Sequence, residues 1–159
     1  MNRWRASISS DDSEDSTAIL DSMDALRQKR NKFETQYAEH KAFTKTFWQR
    51  AFEIMETMHW NSAVFCELTL LNEMTYSRAK TDSDTIPDVR TVMAICAGLD
   101  LDISLTIDML ALAGHVFTNS REDQAYVFII TSYKGTTIHE RNEFLISLDL
   151  QPLGSKQRK

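Results

Sequence analysis

Residues 61–101, which read NSAVFCELTLLNEMTYSRAKTDSDTIPDVRTVMAICAGLDL, contain the pattern that decides the expected fold. Two short segments with helical spacing of apolar residues come first, and Thr69-Leu70-Leu71 joins them in about one turn of chain. A connection of this length makes two helices cross steeply instead of running antiparallel. A polar loop and a third amphipathic helix follow. The stretch therefore predicts three helices packed around a sharp corner.

The second of these helices is expected over residues 73–80. Asn72 precedes it and has a side chain suited to an N-cap, while Tyr76 and Ala79 fall on its inward face. Leu71 is expected to fill the corner between the two helices. The residues expected to face outward are Glu73, Thr75, Ser77, Arg78 and Lys80.

Several positions of the stretch form an ordered series of residue types. A small residue in the first helix is followed by an apolar residue after the turn. A polar, an aromatic and a basic residue come next. A polar loop then ends in Pro and an acidic residue. These positions are Cys66, Leu71, Asn72, Tyr76, Arg78 and Pro87-Asp88, followed by Thr91, Val92, Ile95, Cys96 and Leu99. The series resembles the helix-turn-helix of the lambda-repressor/Cro-like regulators of the xenobiotic-response-element type.

The resemblance implies a DNA-binding helix that lies in the major groove. The implied DNA-binding residues are Ser62, Asn72, Glu73, Thr75, Ser77, Arg78 and Lys80. Glu73 would accept a hydrogen bond from a cytosine amino group, and Thr75 or Ser77 would touch a base edge or a thymine methyl group. Arg78 and Lys80 would contact phosphates. The alternative interpretation is an ordinary solvated helix face, since these residue types occur on any exposed helix.

The sequence departs from the family pattern at two positions. Leu70 occupies the place in the turn where the family usually has Gly, and Ser62 stands where a phosphate-binding Gln often begins the first helix. The loop after residue 80 carries Asp82 and Asp84, and acidic side chains near a duplex repel phosphate. The loop is therefore expected to point away from DNA or to favour another ligand.

The chain has a formal net charge of −5, whose distribution bears on nucleic-acid binding. Residues 1–40 contain six Lys/Arg and eight Asp/Glu, residues 41–80 contain five and four, and residues 81–159 contain seven and eleven. The helix-turn-helix half is therefore close to neutral. Because DNA affinity comes largely from neutralising phosphates, we expect a monomer to bind weakly and to require a dimer or a long site.

Hydrophobic residues make up 42% of the chain, which is enough for a core. Only two Pro and four Gly are present, and this low content of helix-breaking residues favours an all-α protein. Cys66 and Cys96 lie on apolar helix faces without C-x-x-C spacing, as reduced core residues do. The N-terminus lacks the apolar segment of a signal peptide, and no stretch approaches the roughly 20 apolar residues of a membrane span. A cytoplasmic protein is expected.

Residues 1–16 are rich in Ser and Asp and predict a disordered N-terminus. Over residues 17–40 the pattern is helical, with Ser16 or Thr17 as the cap. A heptad row consists of Ile19, Met23, Leu26, Phe33 and Tyr37, interrupted by Arg30. This row is typical of a two-helix seam and leaves two interpretations open. The helix is either an arm that forms a homodimer or an element packed on its own domain.

Residues 41–113 are expected to form the helix-turn-helix domain, beginning with an amphipathic brace over residues 42–58. Helices at about residues 88–98 and 103–112 follow the corner. The last is apolar on most sides through Leu105, Ile107, Met109, Leu110 and Leu112. This pattern predicts central burial, and Gly114 is placed to end the helix.

Residues 114–152 predict a two-helix extension that either completes the core or presents a partner surface, and residues 153–159 form a basic tail. Residues 87–114 and 119–152 are also similar to the regulator-like region of some bacterial metallopeptidase-linked proteins. That resemblance implies a protein partner such as a metallopeptidase.

No pattern in the chain points to catalysis, a metal or a cofactor. The four histidines are scattered, His139-Glu140 lacks the second His of a zinc-peptidase motif, and there is no Gly-rich phosphate loop. Asp100, Asp102 and Asp108 lack the Gly and Glu of a calcium loop. We therefore expect a protein that is not an enzyme and binds no cofactor.

The sequence thus predicts an all-α protein in which a helical arm precedes a repressor-like five-helix domain and a two-helix extension. The expected function is a sequence-specific DNA-binding transcriptional regulator of bacterial or phage type, with residues 73–80 in the major groove. The alternative is a protein-interaction module, such as an antitoxin, immunity or adaptor protein. Such a module would keep the helix-turn-helix fold without binding DNA.

Overall fold

The computed structural model describes the backbone of residues 2–154 and the side chains of residues 15–154, and this part of the chain is all-helical. In chain order the helices are α1 (Asn2–Phe43), α2 (Phe47–Thr57), α3 (Ser62–Thr69), α4 (Glu73–Lys80), α5 (Val89–Gly98), α6 (Ile103–Leu112), α7 (Arg121–Thr131) and α8 (Ile138–Ser147). The chain divides into two compact units, residues 1–44 and residues 45–159. None of the described helices has the length and apolar character needed to cross a membrane.

The first unit contains one long helix, α1. The backbone of residues 2–16 belongs to α1 and departs from the expected disordered stretch, so neither Ser16 nor Thr17 caps a helix. The first proline of the chain is Pro87, and no residue of this kind interrupts the helical hydrogen-bond pattern before it. Every described α1 side chain, from residue 15 to residue 43, is exposed.

The second helix begins later than the expected residue 42. Thr46 caps α2 through a capping box, in which its side chain accepts a hydrogen bond from the N–H of Gln49 and the Gln49 side chain binds the Thr46 N–H. Residues 42 and 43 therefore belong to α1. The apolar stripe of α2 is buried as expected, through Phe47, Trp48, Ala51 and Met55.

α5 is the central helix of the second unit. Its residues Val92, Met93, Ala94, Ile95, Cys96 and Ala97 are all buried. α5 packs on α3, α6, α7 and α8, while α2 packs on α4 and α6. The expected central burial of α6 is wrong, because Ile107 is 50% exposed and Leu112 is 36% exposed. α6 has the predicted bounds but buries only one face, through Thr106, Met109 and Leu110.

α7 and α8 contribute to the same core. Their buried apolar residues are Ala125, Tyr126, Ile129, Ile130, Ile138 and Leu145. Leu153 is also buried, and Asn142 fixes it by donating to its carbonyl at 3.0 Å and accepting from its N–H at 2.7 Å. Of the two alternatives for residues 114–152, completion of the core is therefore the observed one. The expected basic tail lies outside the described residues from residue 155 onward.

Left-handed residues end several helices of this unit. Gly114, with φ +78°, ends α6 as predicted, and the N–H of His115 reaches back to the carbonyl of Leu110 at 2.9 Å. His59, Asp82, Asp100 and Asp149 adopt the same conformation after α2, α4, α5 and α8. Glycine is therefore not the only residue type that ends helices in this chain.

The Arg141 side chain is completely buried and links three helices. Its Nε donates to the carbonyl of Ile129 at 3.0 Å, and its Nη1 donates to the carbonyl of Ala97 at 2.6 Å. Its Nη2 donates to Asp100 Oδ1 at 2.7 Å and to the carbonyl of Tyr133 at 3.0 Å. Arg141 therefore satisfies carbonyl groups at the C-terminal ends of α5 and α7.

Candidate functional site

The candidate site is the corner between α3 and α4, residues 61–80. The Asn61 side chain caps α3 by accepting a hydrogen bond from the N–H of Val64 at 2.9 Å. Leu70 ends α3 in the left-handed conformation, with φ 58° and ψ 21°. Leu70 therefore adopts the conformation that glycine adopts most readily, although it is a leucine. The link between the helices consists of residues 70–72.

Buried side chains fix the turn. The hydroxyl of Thr69 donates to the carbonyl of Phe65 at 2.6 Å and accepts from the N–H of Leu71 at 3.2 Å. Leu71 fills the corner as predicted, with 9% of its surface exposed. A Cβ on Gly98 would lie 2.7 Å from Cγ2 of Thr69 and 2.8 Å from the carbonyl oxygen of Leu68. The end of α3 therefore lies directly against the backbone of α5.

α4 has the predicted bounds and the predicted cap. The Oδ1 atom of Asn72 accepts hydrogen bonds from both the N–H and the hydroxyl of Thr75, each at 3.1 Å. The expectation that Thr75 faces outward is wrong, because its side chain is only 6% exposed. Thr75 and Ala79 lie one turn apart on the inward face of α4, and the buried Leu71 precedes this face just before the cap.

An aromatic contact orients α4 on its neighbours. Tyr76 is half-buried, and its ring centroid lies 5.5 Å from that of Phe65 in α3 and 6.0 Å from that of Phe52 in α2. Since the two contacts come from two different helices, they fix the rotation of α4 about its own axis. The opposite face of α4 is thereby directed away from the core.

This opposite face, the α4 outer face, consists of the exposed residues Glu73, Met74, Ser77, Arg78 and Lys80. It retains four of the five residues predicted to face outward. Met74 is not among the residues expected to bind DNA, yet it is 65% exposed. Asn72 is exposed beside this face, and Ser62 at the start of α3 is half-buried.

The charges around the α4 outer face are of both signs. Within residues 15–154, neither Arg78 nor Lys80 forms an ion pair. The acidic loop after α4 is held at the start of α2, where Asp82 accepts hydrogen bonds from Thr46 Oγ1 and from Gln49 Nε2 at 2.9 Å. One carboxylate of the loop is therefore occupied by hydrogen bonds, and the two cations are available to a ligand.

Several other polar residues of the described part of the chain hold loops and helix ends in place. No group of three His, Cys, Asp or Glu side chains is close enough to hold a metal ion there. His115 Nε2 lies 2.8 Å from the carbonyl oxygen of Pro87 and joins two loops. Asp100 accepts from Arg141, and Asp102 caps α6. These polar groups therefore have structural roles.

A cleft of about 440 Å³ lies between the α3–α4 turn, α8 and residues 151–154. Leu70, His139, Glu143 and Ile146 are among its lining residues. Arg90 also lines it, but its guanidinium donates to Gln151 and to the carbonyl of Pro152. The cations of the α4 outer face, Arg78 and Lys80, are thus more available to a ligand than Arg90 in the cleft.

Among known proteins, no family model, no curated protein and no solved structure matches the chain.

Proposed function

We propose that α2 to α6 form a repressor-like helix-turn-helix domain and that the protein is a sequence-specific DNA-binding transcriptional regulator. The observation that supports this proposal is the division of α4 into two faces. Thr75, Tyr76 and Ala79 pack it on α2 and α3, while Arg78 and Lys80 stand exposed without ion pairs among the described residues. An α-helix with its side chains is about 10–12 Å wide and fits the major groove, which is about 12 Å wide.

Each residue of the α4 outer face has a role in this proposal. Glu73 and Ser77 read base edges, and Glu73 is matched to the amino group of cytosine. Met74 replaces Thr75 as the apolar contact to a thymine methyl group. Arg78 and Lys80 bind phosphates on the adjoining backbone. Asn72 acts by capping α4, which positions the first turn of the helix at the bases.

The net charge of the second unit indicates how the protein would bind DNA. Residues 45–154 contain eight Lys/Arg and fifteen Asp/Glu, a net charge of −7. Since phosphate neutralisation supplies most of the affinity for DNA, one domain binds weakly, and two domains on one site give useful affinity. The protein would act in the cytoplasm of a bacterium, by blocking or recruiting RNA polymerase.

The test is selection from a random-sequence duplex DNA pool, followed by affinity measurements at several salt concentrations. The full chain is expected to enrich one motif. Replacement of both cations, Arg78→Ala/Lys80→Ala, should abolish enrichment and lower the salt slope by about one for each phosphate that no longer meets a cation. The matched control is Lys32→Ala/Lys41→Ala, which removes the same charge from exposed positions of α1 and should leave the motif unchanged.

The results separate the proposal from a general effect of charge. If the α4 and α1 double variants weaken binding equally, the contribution of α4 is only its charge. If the folded chain enriches no motif at low salt, the DNA-binding proposal is wrong.

A second candidate function is a protein-interaction module with the same fold, such as an antitoxin, immunity or adaptor protein. The net charge of −7 over residues 45–154 favours this alternative, because an acidic surface repels DNA and attracts a basic partner. A metallopeptidase is one partner class to test. Binding of a purified candidate partner by a chain that fails to enrich DNA would support the second function.

A further inference from the structure

The heptad row of α1 forms an apolar strip on an exposed helix. Its members are Ile19, Met23, Leu26, Phe33 and Tyr37, which are between 51% and 68% exposed. The rings of Phe33 and Tyr37 stack along the row with their centroids 5.9 Å apart. Five large apolar side chains on one face of one helix are a substantial surface to leave in water, and such a strip indicates a binding surface.

The spacing of the row identifies the kind of surface. Intervals of four, three, seven and four residues correspond to the a and d positions of a heptad repeat, with Arg30 at the a position between Leu26 and Phe33. Ile19, Leu26 and Phe33 occupy d positions. A strip only two positions wide per heptad matches one partner helix of the same length.

The residues that flank the strip select a parallel arrangement. Lys29 occupies a g position and Glu34 the following e position, so a parallel in-register pair places Lys29 of each copy beside Glu34 of the other. The antiparallel register that aligns the strip instead opposes Arg27 to Arg27 and Lys29 to Lys29 of the second copy. Opposite charges thus face each other in the parallel pair and like charges in the antiparallel pair.

Arg30 is the one charged residue within the strip. In a parallel pair it meets Arg30 of the second copy, and each long side chain can extend outward toward Glu34, four residues further along its own helix. A single polar a position lowers coiled-coil stability but fixes the register, because any shifted register places the cation against an apolar layer. Arg30 is therefore compatible with an in-register dimer.

We propose that residues 19–37 of α1 pair with the same residues of a second copy of this chain as a parallel, in-register, two-stranded coiled coil. The partner is identified by self-complementarity: the same helix supplies both the apolar strip and the opposed Lys29 and Glu34 charges. The proposal is independent of DNA binding, because it concerns α1 alone. It is equally compatible with a regulator and with a protein-interaction module.

Sedimentation equilibrium of the full chain tests the pairing. The wild-type chain is expected to sediment at twice the mass of one chain in the micromolar range. Leu26→Asp places a charge in the seam and should weaken dimerisation by about a hundredfold or more. The matched control is Ala25→Asp, which introduces the same charge one residue away at an outward position and should remain dimeric. A monomeric wild-type chain, or a Leu26→Asp chain that dimerises normally, overturns the proposal.

Charge exchange tests the parallel register without altering the apolar strip. Lys29→Glu alone and Glu34→Lys alone each create like-charge pairs and should weaken dimerisation roughly tenfold. The double variant Lys29→Glu/Glu34→Lys restores opposite charges across the seam and should dimerise more tightly than either single variant, although it stays weaker than wild type because Arg30 loses Glu34. Failure of the double variant to dimerise more tightly than the single variants, while Ala25→Asp remains dimeric, would rule out the parallel register.

Discussion

At the scale of single residues, Arg141 stands out because its buried side chain donates five hydrogen bonds. Its guanidinium donates to one carboxylate and to carbonyl groups from three parts of the chain. Among the amino acids, only arginine carries several N–H donors in one planar group. Lysine keeps the charge but has one nitrogen, so substitution would leave buried carbonyl groups without a donor. The position is structural and does not form part of the proposed DNA surface.

We therefore expect Arg141→Lys to lower the free energy of unfolding by about 3–5 kcal/mol, measured by urea titration. The matched control is Arg121→Lys, because Arg121 is exposed and its Nη1 donates to the carbonyl of Leu148 at 2.7 Å. That change should cost less than about 1 kcal/mol. Equal effects of the two substitutions would contradict the role assigned to Arg141.

The partner of Arg141 makes stability depend on pH. Burial raises the pKa of Asp100. The hydrogen bonds from Arg141 and Gly135 and the charges of Lys134 and Arg141 lower it by more, so the pKa lies below its ordinary value of 3.8. Because the pKa is lower in the folded state, the carboxylate contributes its full stabilisation above the ordinary value. This contribution is lost as the pH falls through the folded-state pKa.

Urea titrations of the wild-type chain and Asp100→Asn, at neutral pH and at about pH 3 or below, test this dependence. The wild-type chain should be the more stable of the two at neutral pH, and the difference should shrink in acid. A difference that is constant over this range would show that the Asp100 charge does not contribute.

Thr75 and Arg141 differ in how far their burial could be predicted from the sequence. The hydroxyl of Thr75 suits base contacts and favours an outward position, but its place one turn before the buried Ala79 puts it inside. The spacing of four residues was the available signal. No such signal exists for Arg141, since a charged residue in a helix is ordinarily exposed. Its burial depends on carbonyl groups from helices that are distant in sequence.

At the scale of elements, α4 is short and depends on its cap. The Asn72 side chain supplies the hydrogen bond that the first turn lacks, so Asn72→Ala should lower the free energy of unfolding by about 1 kcal/mol. If the first turn of α4 contacts bases, the same variant should also weaken DNA binding by more than its loss of stability explains. Asn119→Ala is the control, because Ser120 and not Asn119 caps α7. An equal stability loss in both variants would contradict the capping role.

Helix boundaries were predictable where a capping residue marked them. Asn72, Asp88 and Gly114 each mark the boundary that the sequence indicated. The ends at His59, Asp100 and Asp149 were not apparent, because these residue types adopt the left-handed conformation only where the surrounding packing supports it. The extension of α1 to Asn2 was not predictable, because composition alone suggested disorder.

At the scale of the whole molecule, the described hydrophobic core lies entirely between Phe47 and Leu153. A chain shortened to residues 45–159 should therefore keep the urea-unfolding free energy of the second unit within about 1 kcal/mol. It should also keep its near-ultraviolet circular dichroism, which reports aromatic packing. Loss of cooperative unfolding in the shortened chain would show that α1 contributes to that core.

The overall architecture was predictable in class but not in its centre. α6 is the more uniformly apolar helix in sequence, yet α5 is central, because four other helices pack around it. Periodicity identifies which face of a helix is apolar, whereas centrality depends on how many partners surround it.

The burial of Cys96 in the central helix has a chemical consequence. Removal of the Cys96 thiol from water raises its pKa to about 12, far above the range in which it reacts as a thiolate. An alkylating reagent can therefore modify Cys96 only in molecules that have opened around α5, whereas Cys66 is half-buried nearer the surface. The rate of Cys96 alkylation therefore depends on opening of the core, so the chain contains its own reporter of transient unfolding.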